Sequence, residues 1–188
     1  MTSIICAEQG EYAACQCKKH CFQTILDKQH FFSFYRKSEQ AGRDRLMEIC
    51  YPLAHSAGNP RNSEGAFVSL ADGSLFFAYS RYSGKHWNDH ASADICAIVS
   101  KDQGNSWSEP FVLVKNPALN VMSVSFLRLQ DGRIALVYLQ KSRVPGTDFI
   151  DCRPKICFSS DEAQSWSDPI ETATCPFLYL VMHNDRLV

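Results

Sequence analysis

The chain repeats itself at a single offset. Residues 67–79 read FVSLADGSLFFAY and residues 126–138 read FLRLQDGRIALVY; residues 100–110 read SKDQGNSWSEP and residues 159–169 read SSDEAQSWSDP. Both pairs are displaced by 59 positions and together share 11 identities in 24 aligned positions. Ordinary residue usage would give about one or two. One offset serves both blocks, so no net insertion separates them, and a single structural unit is used twice.

Each unit reads as β. An apolar run, an Asp-Gly turn (Asp72-Gly73, Asp131-Gly132) and a second apolar run make a hairpin signal, because Gly takes positive φ at little cost. A third apolar run follows, DICAIVS or PKICFSS, and a fourth, PFVLV or PIETA. Four strands in 59 residues suit one blade of a β-propeller. The expectation is an all-β fold with units at about 61–118 and 120–175 and a third starting near 180. The serine-rich motif falls between strands three and four. There Asp102 is placed to accept backbone N–H groups of its own turn, Gly104 to supply a left-handed residue, and Trp107 to bury its ring between sheets. In the copy, Ala163 stands where Gly104 stood, which predicts a turn that is strained or differently shaped.

Bulk properties exclude several classes. A formal net charge of −1 gives no basic face for nucleic acid. No run of 18 apolar residues marks a membrane span, and the first residues lack a basic start followed by a long apolar stretch. A cytoplasmic location is favoured on that ground. Of nine cysteines, Cys6, Cys15, Cys17 and Cys21 crowd the start beside His20, but their spacing is not the paired C-x2-C of a zinc site. They read as free thiols, and no metal or organic cofactor is expected. Nothing before residue 58 repeats; residues 1–50 are expected to be an extension, helical over 23–50 or poorly folding, ahead of the propeller part at 51–188.

The motif Ser100-x-Asp102-x-Gly104-x-Ser106-Trp107, returning as Ser159-x-Asp161-x-Ala163-x-Ser165-Trp166, resembles the Asp-box of the sialidase (neuraminidase) superfamily, or BNR-repeat proteins. The resemblance covers roughly residues 59–188. It implies a six-bladed propeller with its site at the central axis, which needs about 350 residues, so this chain would be an N-terminal part of one. It also implies a glycoside hydrolase that removes a terminal, anionic sugar by exo action. Where sialidases carry Phe/Tyr-Arg-Ile-Pro, this chain reads NPRNSEG and offers Arg61 and Glu64 instead. The family's general acid comes from the loop between strands two and three, here residues 81–94; Asp89 is the candidate, with Asp94 second. The family's nucleophilic Tyr and its Glu partner come from later blades.

First strands of propeller blades line the axis, so polar residues at their starts point to a common ligand. The offset aligns Arg61 with Asn120 and Glu64 with Ser123, and places Asn184, Asp185 and Arg186 in the third copy. Arg suits a bidentate carboxylate contact; the alternative is a solvated loop. His90 is placed to tune Asp89, and Trp87 offers a ring face to a sugar; the plain readings are a surface His, a loop anchor and, for Asp89, a turn former. Arg153 either binds an anionic group or pairs with Asp151. The rival to an enzyme is a non-catalytic propeller segment that binds glycan or protein, self-associating through an open blade edge.

Overall fold

The computed structural model describes backbone strands within residues 12–52, and residues 53–174 with Leu178 and Tyr179 in full. All twelve elements are strands. β1 (Tyr12–Ala14), β2 (Phe22–Leu26), β3 (Phe32–Lys37) and β4 (Met47–Leu53) form one antiparallel sheet in chain order. β5 (Asn62–Ser69), β6 (Leu75–Tyr82), β7 (Ala93–Ser100) and β8 (Phe111–Val114) form a second. β9 (Asn120–Arg128), β10 (Ile134–Arg143), β11 (Ile150–Ser159) and β12 (Ile170–Glu171) form the third. Successive four-stranded meanders of this kind are propeller blades, and the chain is part of a β-propeller.

The second and third sheets follow the boundaries that the repeat implies. The first fifty residues do not follow the helical expectation. FQTIL and FSFYRK pair as β2 and β3, and MEICYPL adds β4. The reason is legible afterwards: FQTIL carries an aromatic and two β-branched residues, and FSFYRK carries three aromatics with Phe32 and Phe34 two apart, residue types that favour strands over helix. The extra sheet therefore precedes the two repeats. The cysteines at 6, 15, 17 and 21 fall on residues outside the full description, as do Asn184, Asp185 and Arg186.

The apolar runs of β6 and β7 are continuous because the middle sheet is covered on both faces. Phe76, Ala78, Ile95 and Ala97 pack with Val121, Val124, Leu136, Tyr138 and Cys157 of the third sheet. The alternate residues Phe77, Tyr79, Cys96 and Ile98 pack with Leu53, at the end of β4. Each fully buried large apolar side chain contributes about 1.5–3 kcal/mol. The two repeated tryptophans sit at equivalent junctions: Trp107 joins the cluster with Leu53, its ring 6.1 Å from Phe67, and Trp166 joins the next, 6.0 Å from Phe126.

Both copies of the serine-rich turn have one geometry. Ser100 Oγ donates to Asp102 Oδ1 (2.8 Å), and the Gly104 N–H donates to Ser100 Oγ (2.7 Å). Ser106 donates from N and Oγ to the two carboxylate oxygens of Asp102 (2.8 and 2.6 Å). Ser159, Asp161, Ala163 and Ser165 repeat every one of these bonds. Ala163 has φ 65° where Gly104 has 88°, so the turn is strained, not reshaped. The serine donors around Asp102 and Asp161 pull each carboxyl down to about 2.

The first strand of each repeat carries the same bulge. Ser63 pairs with Ser80 and then Ala66 with Ala78; 59 residues on, Met122 pairs with Leu139 and then Ser125 with Val137. Glu64 (φ 53°) and Ser123 (φ 57°) are the left-handed residues of the two bulges. Beside Glu64 only glycine fits, since a Cβ on Gly65 would lie 2.1 Å from Cζ of the fully buried Phe77 ring.

Two outcomes are expected. Gly65→Ala should destabilise the fold by about 1–3 kcal/mol through overpacking, read by urea unfolding. A group whose carboxyl is lower folded than unfolded stabilises above its unfolded pKa and stops doing so as pH falls through the folded one. The thermal midpoint should therefore drop as pH goes from about 4 towards 2. Asp102→Asn combined with Asp161→Asn should lower the midpoint at neutral pH and flatten that acid limb.

Candidate functional site

Antiparallel strand order gives each blade two ends. The turn after β5 and the serine-rich turn after β7 share one end, where Gln103 Nε2 donates to the Gly73 carbonyl (2.6 Å). The start of β5, the loop 83–92 between β6 and β7, the start of β9 and the far end of β10 share the other. The strands of 8 to 10 residues separate these ends by about 25–30 Å. The stapled turns and the polar candidates therefore stand at opposite ends.

At the second end, three of the expected residues converge. Arg61 Nη1 donates to Asp89 Oδ1 (2.6 Å) and to the Trp87 carbonyl (3.1 Å). The Arg61 guanidinium lies 4.6 Å from the Tyr82 ring centroid, so a largely buried cation is held between an aromatic face and a carboxylate. Asn120, fully buried, donates from Nδ2 to the carbonyls of Asp89 (2.8 Å) and Ala91 (2.9 Å). The Asp89 side chain is 58% exposed while that of Arg61 is 16% exposed, so the carboxylate faces solvent from a buried anchor.

Burial acts to raise the Asp89 carboxyl, but the Arg61 hydrogen bond and the charges of Arg61, Lys141 and His90 outweigh it and hold it below the usual carboxylate range. Glu64 sits at the bulge of β5, where its Oε2 accepts from the Ser123 amide (3.2 Å) of the neighbouring sheet. The bulge of β9 takes that amide out of the strand ladder, and Ser80 Oγ accepts from it as well (3.2 Å). Glu64 also acts on Arg61 through its charge.

The other expected residues are placed differently. His90 is exposed, its amide donating to Asn88 Oδ1 (2.9 Å). Trp87 is 58% exposed, so it is not a buried anchor of the loop. Asp94 caps the chain after β8, accepting from the Asn116 amide (2.9 Å) and Lys115 Nζ (2.8 Å). Arg153 lies on β11, two strands or about 10 Å outward from β9. There it pairs with Asp151 (2.5 Å) and Glu171 (2.7 Å), beside the Lys155–Glu171 pair, and the structure does not bring it to Arg61. Among the described residues no group of three His, Cys, Asp or Glu is arranged to hold a metal ion.

Two residues at this end escaped sequence reasoning. Tyr82 is fully buried under Arg61, and burial pushes its hydroxyl well above the usual phenol range despite the Arg61 charge. Lys141, 3% exposed, donates from Nζ to the Asp89 carbonyl (2.8 Å). The signal was present: the same offset of 59 that found the repeat aligns Lys141 with Tyr82.

No family model and no curated protein sequence matches the chain. Solved structures do match in fold. A thermostable family-43 glycoside hydrolase aligns with a TM-score of 0.61 at 12% identity over 88% of this chain and 54% of its own. An alpha-L-arabinanase of Penicillium chrysogenum, complexed with arabinobiose, aligns with 0.59 at 16% identity over 84% and 46%. A Hadza microbial sialidase, Hz136, aligns with 0.59 at 16% identity over 82% and 36%. The chain thus spans between about a third and just over half of the structures it is similar to, and what it shares with them is the fold of β-propeller glycoside hydrolases.

Proposed function

We propose that the chain is part of a sialidase-like glycoside hydrolase that removes a terminal anionic sugar, with Asp89 as acid/base and Arg61 as the group that binds the sugar's anion. The observation that carries this reading is the Arg61–Asp89 pair. A mostly buried guanidinium, backed by Tyr82, already holds a carboxylate at the solvent boundary. A sugar carboxylate has the same chemistry and competes for the same donors. The sugar-active enzymes of similar fold, one of them bound to arabinobiose, support a carbohydrate ligand.

The exchange has a chemical consequence. Once a ligand carboxylate takes Arg61, Asp89 loses the hydrogen bond that holds it ionised. Burial, the opposing influence, and the ligand's own negative charge then act together to raise it. A protonated Asp89 can deliver that proton to the glycosidic oxygen as the bond to the anomeric carbon breaks, the bonding pair leaving with the oxygen; water then adds to the anomeric carbon and returns a proton to Asp89. Glu64 and Asn120 frame the site from the two first strands, and Trp87 and His90 border its open side. Tyr82 is unsuited to act as nucleophile, because its buried hydroxyl resists ionisation, and this reading assigns that role to no described residue.

The second reading is a binding module without turnover. It is favoured by Asp89 itself, whose carboxyl is held ionised in the absence of ligand.

The two separate in one experiment. The purified chain is assayed on fluorogenic glycosides that include a sialoside, a glucuronide and neutral sugars. For the enzyme, Asp89→Asn should lower kcat by roughly 10²–10⁴-fold, and Arg61→Met should raise KM for the anionic glycosides and leave the neutral ones unchanged. Calorimetric binding of an anionic sugar that Arg61→Met abolishes, with no turnover on any glycoside, is the outcome expected of the module; turnover that Asp89→Asn leaves unchanged sinks Asp89 as the acid/base.

A further inference from the structure

We propose that Lys141 is a positioning residue for Asp89: from the neighbouring sheet it clamps the Asp89 main chain, so that the carboxyl group keeps its place when Arg61 is given over to a ligand. This rests on Asp89 being the working carboxyl of the proposed site.

Asp89 is held at two points by different elements. Arg61, at the start of β5, holds the carboxylate. Lys141 Nζ and Asn120 Nδ2, both at 2.8 Å, hold the carbonyl of the same residue. Lys141 and Asn120 are cross-strand partners on β10 and β9, so the main-chain clamp belongs wholly to the next sheet. Removing Arg61 from the carboxylate leaves that clamp untouched.

Packing alone does not account for Lys141. It is 3% exposed, and among the described residues no carboxylate lies within ion-pair distance of it. The Tyr179 ring lies 5.7 Å from Nζ. An ammonium buried without a paired anion is costly, and an apolar side chain of similar length would fill the space more cheaply. What the ammonium supplies is a strong donor to one carbonyl and a positive charge beside one carboxyl, and both belong to Asp89. The charged groups facing that carboxyl are Arg61, Lys141 and His90.

The test compares Lys141→Met with the unaltered chain, each also carrying Arg61→Met, by NMR. The first readout is amide exchange at Ala91, whose N–H is bonded to the Asn88 carbonyl inside the loop, against Gly73 in the distant hairpin as reference. The second is the carboxyl titration of Asp89. With Lys141 present, Ala91 should stay protected in Arg61→Met. Adding Lys141→Met should speed its exchange by about tenfold or more, as expected for loss of a charged hydrogen bond, with Gly73 unchanged and the Asp89 titration moved upward. Equal acceleration at Ala91 and Gly73, or no change in either readout, overturns the proposal. If Lys141→Met does not fold, Lys141→Gln is measured in the same way, and the same results support or overturn the clamp. Neither readout needs turnover, so the clamp and the enzymatic reading stand or fall separately.

Discussion

The burial of one sheet between two others governs everything else in this chain. β6 and β7 send alternate side chains into two separate apolar clusters, so neither strand has a face left for water. A one-residue slip of either strand would exchange the two sets and mismatch both junctions at once, which pins the register. The register in turn decides where β5 begins and where the loop between β6 and β7 emerges. Arg61 and Asp89, 28 residues apart in sequence, meet because of that constraint.

The two ends of the blade answer different physical demands. At one end each serine-rich turn is closed by serine donors to its aspartate, and the second turn also ties sheets together. Glu162 accepts from Arg128 and from the Ala71 amide of the preceding sheet, while Arg128 reaches the Ser69 carbonyl. The carboxylates there are answered by near neighbours, so that end is a fastening. At the other end, donors from two sheets converge on a single loop residue whose carboxylate remains open to solvent. The carboxylate there is held by one side-chain contact, from Arg61.

Legibility followed the range of the interaction. The hairpins and the serine-rich turns depend on residues within a few positions of one another, and both were readable from the offset of 59. Even the bulges were foreshadowed, since the alignment of Glu64 with Ser123 is the alignment of their left-handed backbones. The first fifty residues carry no repeat, and charged residues scattered through 23–50 mimicked a helical face although the aromatic alternation in β3 is strand-like. Arg153 and Asp94 were readable only as polar residues beside strands. Their local partners, Asp151, Glu171, Lys115 and Asn116, engage them where they stand.

By itself the sequence determined the unit, its four-strand order and the chemistry of its turns, because these rest on short-range hydrogen bonding, side-chain periodicity and the conformational freedom of a few residues. Only the tertiary structure decided which polar residues share a site. That Lys141, two residues past an apolar run, is the buried partner of the Asp89 carbonyl, and that Arg153 stays two strands away from β9, follow from how the strands and sheets seat against one another. Such contacts join residues dozens of positions apart, and no local pattern encodes the distance between them.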